Sequence, residues 1–193
     1  MSRTIKINFQ GPVGLIEASL DLPDEVRHAP GSYKPRGIAL VAHPHPLLGG
    51  TMDNKVAQTL ARTFAQLGYV TLRPNFRGVG ATEGVHDDGK GEAQDLLAVI
   101  AWMKDPFSWQ GITELEGHAW PQLVEELPLA MAGFSFGSYV SSYVVKELTE
   151  KNEAPERLIM VGSATSKWDV APVPKDTIVI RSEEHTSELQ SHL

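Results

Sequence analysis

Leu129-Ala130-Met131-Ala132-Gly133-Phe134-Ser135-Phe136-Gly137-Ser138 is the stretch whose reading decides the fold. An apolar run without polar alternation reads as a strand buried on both faces, as in a parallel sheet. It ends in Gly-x-Ser-x-Gly, and a segment free of Gly and Pro follows. Gly133 and Gly137 have no Cβ, so the backbone can turn sharply and strand and helix can approach closely. A serine on such a turn presents its Oγ outward, beside the first N–H groups of the next helix. Those groups favour developing negative charge. This is the nucleophile-elbow arrangement, with Ser135 as candidate nucleophile. The bland alternative is a Gly-rich turn with an incidental serine. The strand before it and the helix after it favour the elbow.

The rest of the composition narrows the field. A chain of 193 residues with 41% hydrophobic and 21% charged residues is the size and make-up of one globular domain. The formal net charge of −7 disfavours nucleic acid as a partner. There is no cysteine, which excludes disulfides and thiolate catalysis and makes a cytoplasmic protein the expectation. The first residues lack the apolar core of a signal peptide, and no apolar run reaches membrane-spanning length.

Working outward from residue 129, Ile5 to Phe9 and Leu15 to Leu22 read as strands joined by a short Gly/Pro link, an antiparallel hairpin. Pro23 to Pro35 is polar and reads as a loop. Gly37 to Ala42 is a continuous apolar run, hence a central strand. His43-Pro44-His45-Pro46-Leu47-Leu48-Gly49-Gly50 cannot be regular. Asp53 or Asn54 caps a helix whose expected apolar face is Val56, Leu60, Phe64 and Leu67. Tyr69 to Leu72 is the next strand, followed by the loop Arg73 to Gly84. A helix from about Gly91 to Lys104 stops before Pro106. Phe107 to Leu127 reads as irregular. A helix follows Ser135, and strands follow near Arg157 to Gly162 and Thr177 to Ile180. Repeated strand–helix units predict an α/β fold with a doubly wound, mostly parallel sheet and an antiparallel N-terminal hairpin.

Three segments carry a resemblance: His43-Pro44-His45-Pro46 with Gly49-Gly50 and Asp53-Asn54-Lys55; Arg73-Pro74-Asn75-Phe76-Arg77-Gly78-Val79-Gly80; and Gly133-Phe134-Ser135-Phe136-Gly137. On these the chain resembles the α/β-hydrolase superfamily, in particular small bacterial-type serine hydrolases. The resemblance implies an esterase-like enzyme acting on a small-molecule acyl substrate, with no cofactor. It implies Ser135 as nucleophile and the Phe136 N–H as one oxyanion donor. The second donor is expected from the loop after Ala42, at Leu47, with His45 and Leu48 as alternatives. His45, Leu48 and Phe134 are the expected substrate contacts.

Other readings of these residues are weaker. His43-x-His45 has metal-like spacing, but no third ligand joins the pair. Gly78-Val79-Gly80 lacks the third glycine of a dinucleotide motif, because Glu83 stands in its place. Asn75, Arg77 and Glu83 are expected to tie their loop beneath the site by hydrogen bonds. Trp109 and Trp120 either line a pocket or pack. A non-catalytic binding protein of the same fold, or a peptidase-type hydrolase, are the rival functions.

A serine triad of this fold needs an acid and then a histidine after the nucleophile. After Ser135 the only histidines are His185 and His192. They lie in residues 181–193, a polar stretch that resembles a translated DNA-sequencing adapter. The expectation is therefore a C-terminally truncated α/β-hydrolase domain over residues 1–180, a non-native tail after it, and an inactive chain without its acid and base.

Overall fold

In the computed structural model, residues 3–28, 31, 33–163 and 167–181 are described. Their strands form one seven-stranded sheet in the order β1-β2-β4-β3-β5-β6-β7. The suspected foreign tail lies outside the described residues from 182 onward.

β1 (Arg3–Gln10) and β2 (Leu15–Leu22) form the expected antiparallel hairpin, closed where the Gly11 N–H donates to the Gly14 carbonyl at 2.8 Å. β2 also runs antiparallel to β4 (Tyr69–Pro74). From there β4, β3 (Gly37–Ala42), β5 (Leu129–Phe134), β6 (Arg157–Val161) and β7 (Ile178–Ile180) are mutually parallel. β3 is buried along its whole length. Ile38 and Leu40 enter one core layer, and Ala39 and Val41 the other. Burial on both faces is why these strands read as unbroken apolar runs.

The first described helix, α1 (Glu25–His28), is a single turn inside the expected loop. α2 (Lys55–Gln66) covers the Ala39 face. Asn54 Oδ1 caps it, accepting the Val56 N–H at 2.9 Å. Its buried residues are Ala57, Ala61, Phe64 and Ala65, so the stripe differs from the expected one and Leu67 is exposed. Alanines let α2 lie close against Ala39, Val41, Ala130 and Ala132, where larger side chains would hold it off.

α3 (Lys90–Lys104) and α4 (Phe136–Glu150) pack on the opposite face and against each other. Between α3 and β5 the expected irregular stretch contains three short 3-10 turns, Pro106–Trp109, Thr113–Leu115 and Trp120–Glu126. Trp109 and Trp120 are buried there, with ring centroids 5.2 Å apart. Trp109 Nε1–H donates to the Met103 carbonyl at 3.1 Å, at the far end of α3. Both tryptophans are packing residues. Among the described residues, no helix is long and apolar enough to cross a membrane.

Candidate active site

Sheet register brings the site together. Ala42 pairs with Gly133, so β3 and β5 end at the same level and their following loops meet. At the end of β5 the chain turns through Ser135, whose φ is 53° and ψ −116°. A non-glycine residue at positive φ is strained, and such strain collects at functional turns. Close packing holds it there. A Cβ on Gly133 would sit 2.4 Å from the Gly137 backbone, and one on Gly137 would sit 2.3 Å from the Ala42 carbonyl oxygen. The Ser135 N–H donates to the Val161 carbonyl at 2.8 Å, fixing the corner to the end of β6.

Ser135 is the N-cap of α4, yet its side chain makes no capping hydrogen bond, and the residue is only partly buried. Its hydroxyl is therefore not spent on the helix. The Phe136 N–H, at the first position of α4, has no intrahelical acceptor, as helix geometry dictates. The end of α4 thus offers a hydroxyl and an adjacent amide in one corner.

The loop after β3 supplies the facing wall. His43 is fully buried. Its Nδ1 lies 2.7 Å from the Pro44 carbonyl, and its Nε2 accepts the Phe76 N–H at 2.9 Å. An acceptor at Nε2 requires the neutral ring with its proton on Nδ1, so both nitrogens are committed and neither is left for a metal. Burial pushes the His43 pKa down to about 4. Gly50 closes the loop: its N–H donates to the His45 carbonyl at 3.0 Å, and a Cβ there would meet the Pro44 oxygen at 2.1 Å.

His45 reaches the nucleophile corner, with its ring centroid 4.6 Å from that of Phe136. Burial lowers its pKa, helped by neighbouring His86 and opposed by Glu92 and Asp88. Leu47 and Leu48 carry exposed side chains, at 72% and 81%. The Leu47 N–H donates to His45 Nδ1 at 3.2 Å, and the Leu48 N–H to the His45 carbonyl at 3.1 Å. Phe134 lies against Gly162 at the end of β6, where an added Cβ would be 3.1 Å from its ring. Ser135, Phe136 and His45 are thus brought together. The Leu47 and Leu48 amides bond within their own turn, and Phe134 faces the β6 side.

The Arg73 to Gly84 loop is tied down as expected. The Arg73 guanidinium donates to Asp21 at 2.7 and 3.3 Å and to the Met52 carbonyl. Asn75 Oδ1 accepts the Met52 N–H at 2.8 Å, and its Nδ2 donates to Glu17 at 2.8 Å. Arg77 makes two 2.8 Å bonds to Asp95 of α3. Glu83 Oε2 accepts the Leu15 N–H at 2.6 Å.

Two residues at the site were missed in the sequence. His86 lies with its ring 4.9 Å from His45 and its Nδ1 2.7 Å from buried Glu92. Trp168 stands after β6, 5.5 Å from the Phe136 ring and 5.8 Å from His45. Neither sits in a motif, although a lone tryptophan in a polar loop was a usable signal. Among the described residues after Ser135 there is no histidine.

Residues 28–172 match the family model of the X-Pro dipeptidyl-peptidases (S15 family). An uncharacterised protein of Rickettsia prowazekii (strain Madrid E) is 35% identical over 147 residues, 76% of this chain and 52% of that protein. The chain therefore spans about half the length of the curated relative it matches. A crystal structure of an α/β serine hydrolase without a lid, from Xanthomonas campestris, superposes with a TM-score of 0.74 at 29% identity, covering 99% of this chain and 79% of that one. An α/β serine hydrolase homologue from Coxiella burnetii gives 0.68 at 27% identity, covering 97% and 94%.

Proposed function

Because the chain belongs to the X-Pro dipeptidyl-peptidase (S15) family within the α/β-hydrolase superfamily, we propose that the protein is a serine hydrolase that cleaves an ester or similar acyl bond of a small molecule. Ser135 Oγ attacks the carbonyl carbon, the bond to the leaving group breaks, and water then releases the acyl group from Oγ. The Phe136 N–H and a second amide at Leu47 hold the oxyanion. Each such donor is worth about 3–4 kcal/mol in the transition state. The Leu47 N–H, bonded to His45 Nδ1 at 3.2 Å, reaches the oxyanion only by leaving that bond. Among the described residues no histidine follows Ser135 to act as the base, and loss of such a base slows turnover on the order of 10⁶-fold. A cysteine-free, acidic composition supports a cytoplasmic enzyme with no nucleic-acid partner.

The observation that carries this reading is Ser135 itself, held at φ 53° with a hydroxyl that caps nothing. The test is a fluorophosphonate probe applied to the protein expressed from its complete gene. Covalent labelling at Ser135, abolished in Ser135→Ala, is the expected result. An unlabelled, folded protein would instead mark a binding protein on a hydrolase frame. The family match favours amide substrates as a second reading. Comparing a nitrophenyl ester with an Xaa-Pro nitroanilide decides between the two.

A further inference from the structure

We propose that Trp168 determines substrate choice at the Ser135 site, by receiving the flat ring of an aromatic acyl ester. The inference rests on the hydrolase reading above and names the substrate class for that site.

Trp168 is built into place. The residue after it, Asp169, accepts a 2.8 Å hydrogen bond at its carbonyl from Tyr143 Oη of α4. The Ala171 N–H donates to Ser142 Oγ of the same helix at 3.0 Å. The loop after β6 is thus pinned to α4 immediately beyond the indole, and α4 is the helix that starts at Ser135.

The surroundings are a run of rings. Trp168 stacks near-parallel on His45, at 5.8 Å and 22°, and on Tyr139, at 6.0 Å and 23°. It meets Phe136, the residue after the nucleophile, edge-on at 67°. Carbon faces in contact lie about 3.5–4 Å apart, so centroids near 6 Å mean rings slid sideways by roughly 4–5 Å. Each stack is a step that leaves part of the indole uncovered, and Trp168 is only partly buried. Tyr139 stands one helical turn from Ser135, to whose carbonyl its N–H donates at 3.3 Å. A flat ring on the acyl group extends the staircase while its carbonyl reaches Oγ. Offset or edge-on aromatic contacts are favoured beyond the area they bury, which an aliphatic ring of equal size does not gain.

The test measures equilibrium binding, by amide chemical-shift titration, of methyl phenylacetate and methyl cyclohexylacetate to the chain carrying Ser135→Ala, which prevents turnover. The phenyl ester is expected to bind about three- to tenfold tighter. Adding Trp168→Leu should erase that ratio, and adding Trp168→Phe, the variant that also guards against misfolding, should keep most of it. Equal affinities for the two esters, no binding of either, or a ratio that survives Trp168→Leu in a folded chain would each overturn the assignment. Since stacking does not need the hydroxyl, failure of the fluorophosphonate to label Ser135 leaves these affinities unchanged, and the two readings fall separately.

Discussion

His43 shows how one buried side chain ties two loops and sets an acid limit. Its ring accepts the Phe76 amide only while neutral, and burial holds its pKa at about 4 against an ordinary 6.5. The unfolded chain therefore takes up a proton first as the pH falls. The stabilisation is complete above pH 6.5 and is lost progressively down to about 4, a total of about 3 kcal/mol. Urea unfolding at pH 7, 5.5 and 4.5 should show a steeper acid loss for the native chain than for His43→Asn. Parallel curves would refute it. This role could not be read in the sequence, because Phe76 is 33 residues away and no local pattern announces the pairing. Ser135 was legible because its chemistry and its turn are both written within five residues. His86 was not, and Trp168 was marked only by its composition, since the rings that each one meets come from other segments.

At the level of elements, the Arg77–Asp95 pair fastens the Arg73 to Gly84 loop to α3. Both side chains are nearly fully buried, at 8% and 4% exposure. Removing one partner strands the other charge in the core, so Asp95→Leu should cost about 3–5 kcal/mol. The double variant Arg77→Met, Asp95→Leu should recover most of that, as measured by urea midpoints. Gly91 belongs to the same joint, because a Cβ there would lie 1.9 Å from the Arg77 guanidinium. Strands and helix starts were readable from apolar runs and from the Asn54 cap. The buried face of α2 was not. Sequence periodicity favoured its larger residues, whereas contact with the small-residue face of the sheet selects alanines.

Across the whole molecule, the two edges of the sheet differ. β1 is joined to β2 along its full length, with register running from Arg3 to Gln10. Among the described residues β7, like β1, has a strand on one side only, but β1 alternates apolar with polar residues, whereas the Ile178, Val179 and Ile180 of β7 are about half exposed, at 46%, 48% and 50%. An apolar strand at an open edge invites pairing with another chain. The described residues should therefore self-associate, and Val179→Lys should shift light scattering toward smaller particles without lowering the melting temperature. No change in particle size would show that the edge is not the contact.

The level ends of β3 and β5 carry a consequence for how such a molecule can vary. Nucleophile corner and histidine loop hang from adjacent rails cut to one length, Ala42 opposite Gly133. Dropping a single residue from either rail would retract its cargo by about 3.3 Å and turn the next side chain to the other face. The stretch from Phe107 to Leu127 leads into the other end of β5, before Leu129, and is free of that arithmetic. Sequence drift in length should therefore gather at the lower side of the sheet and spare the two segments that meet at the serine.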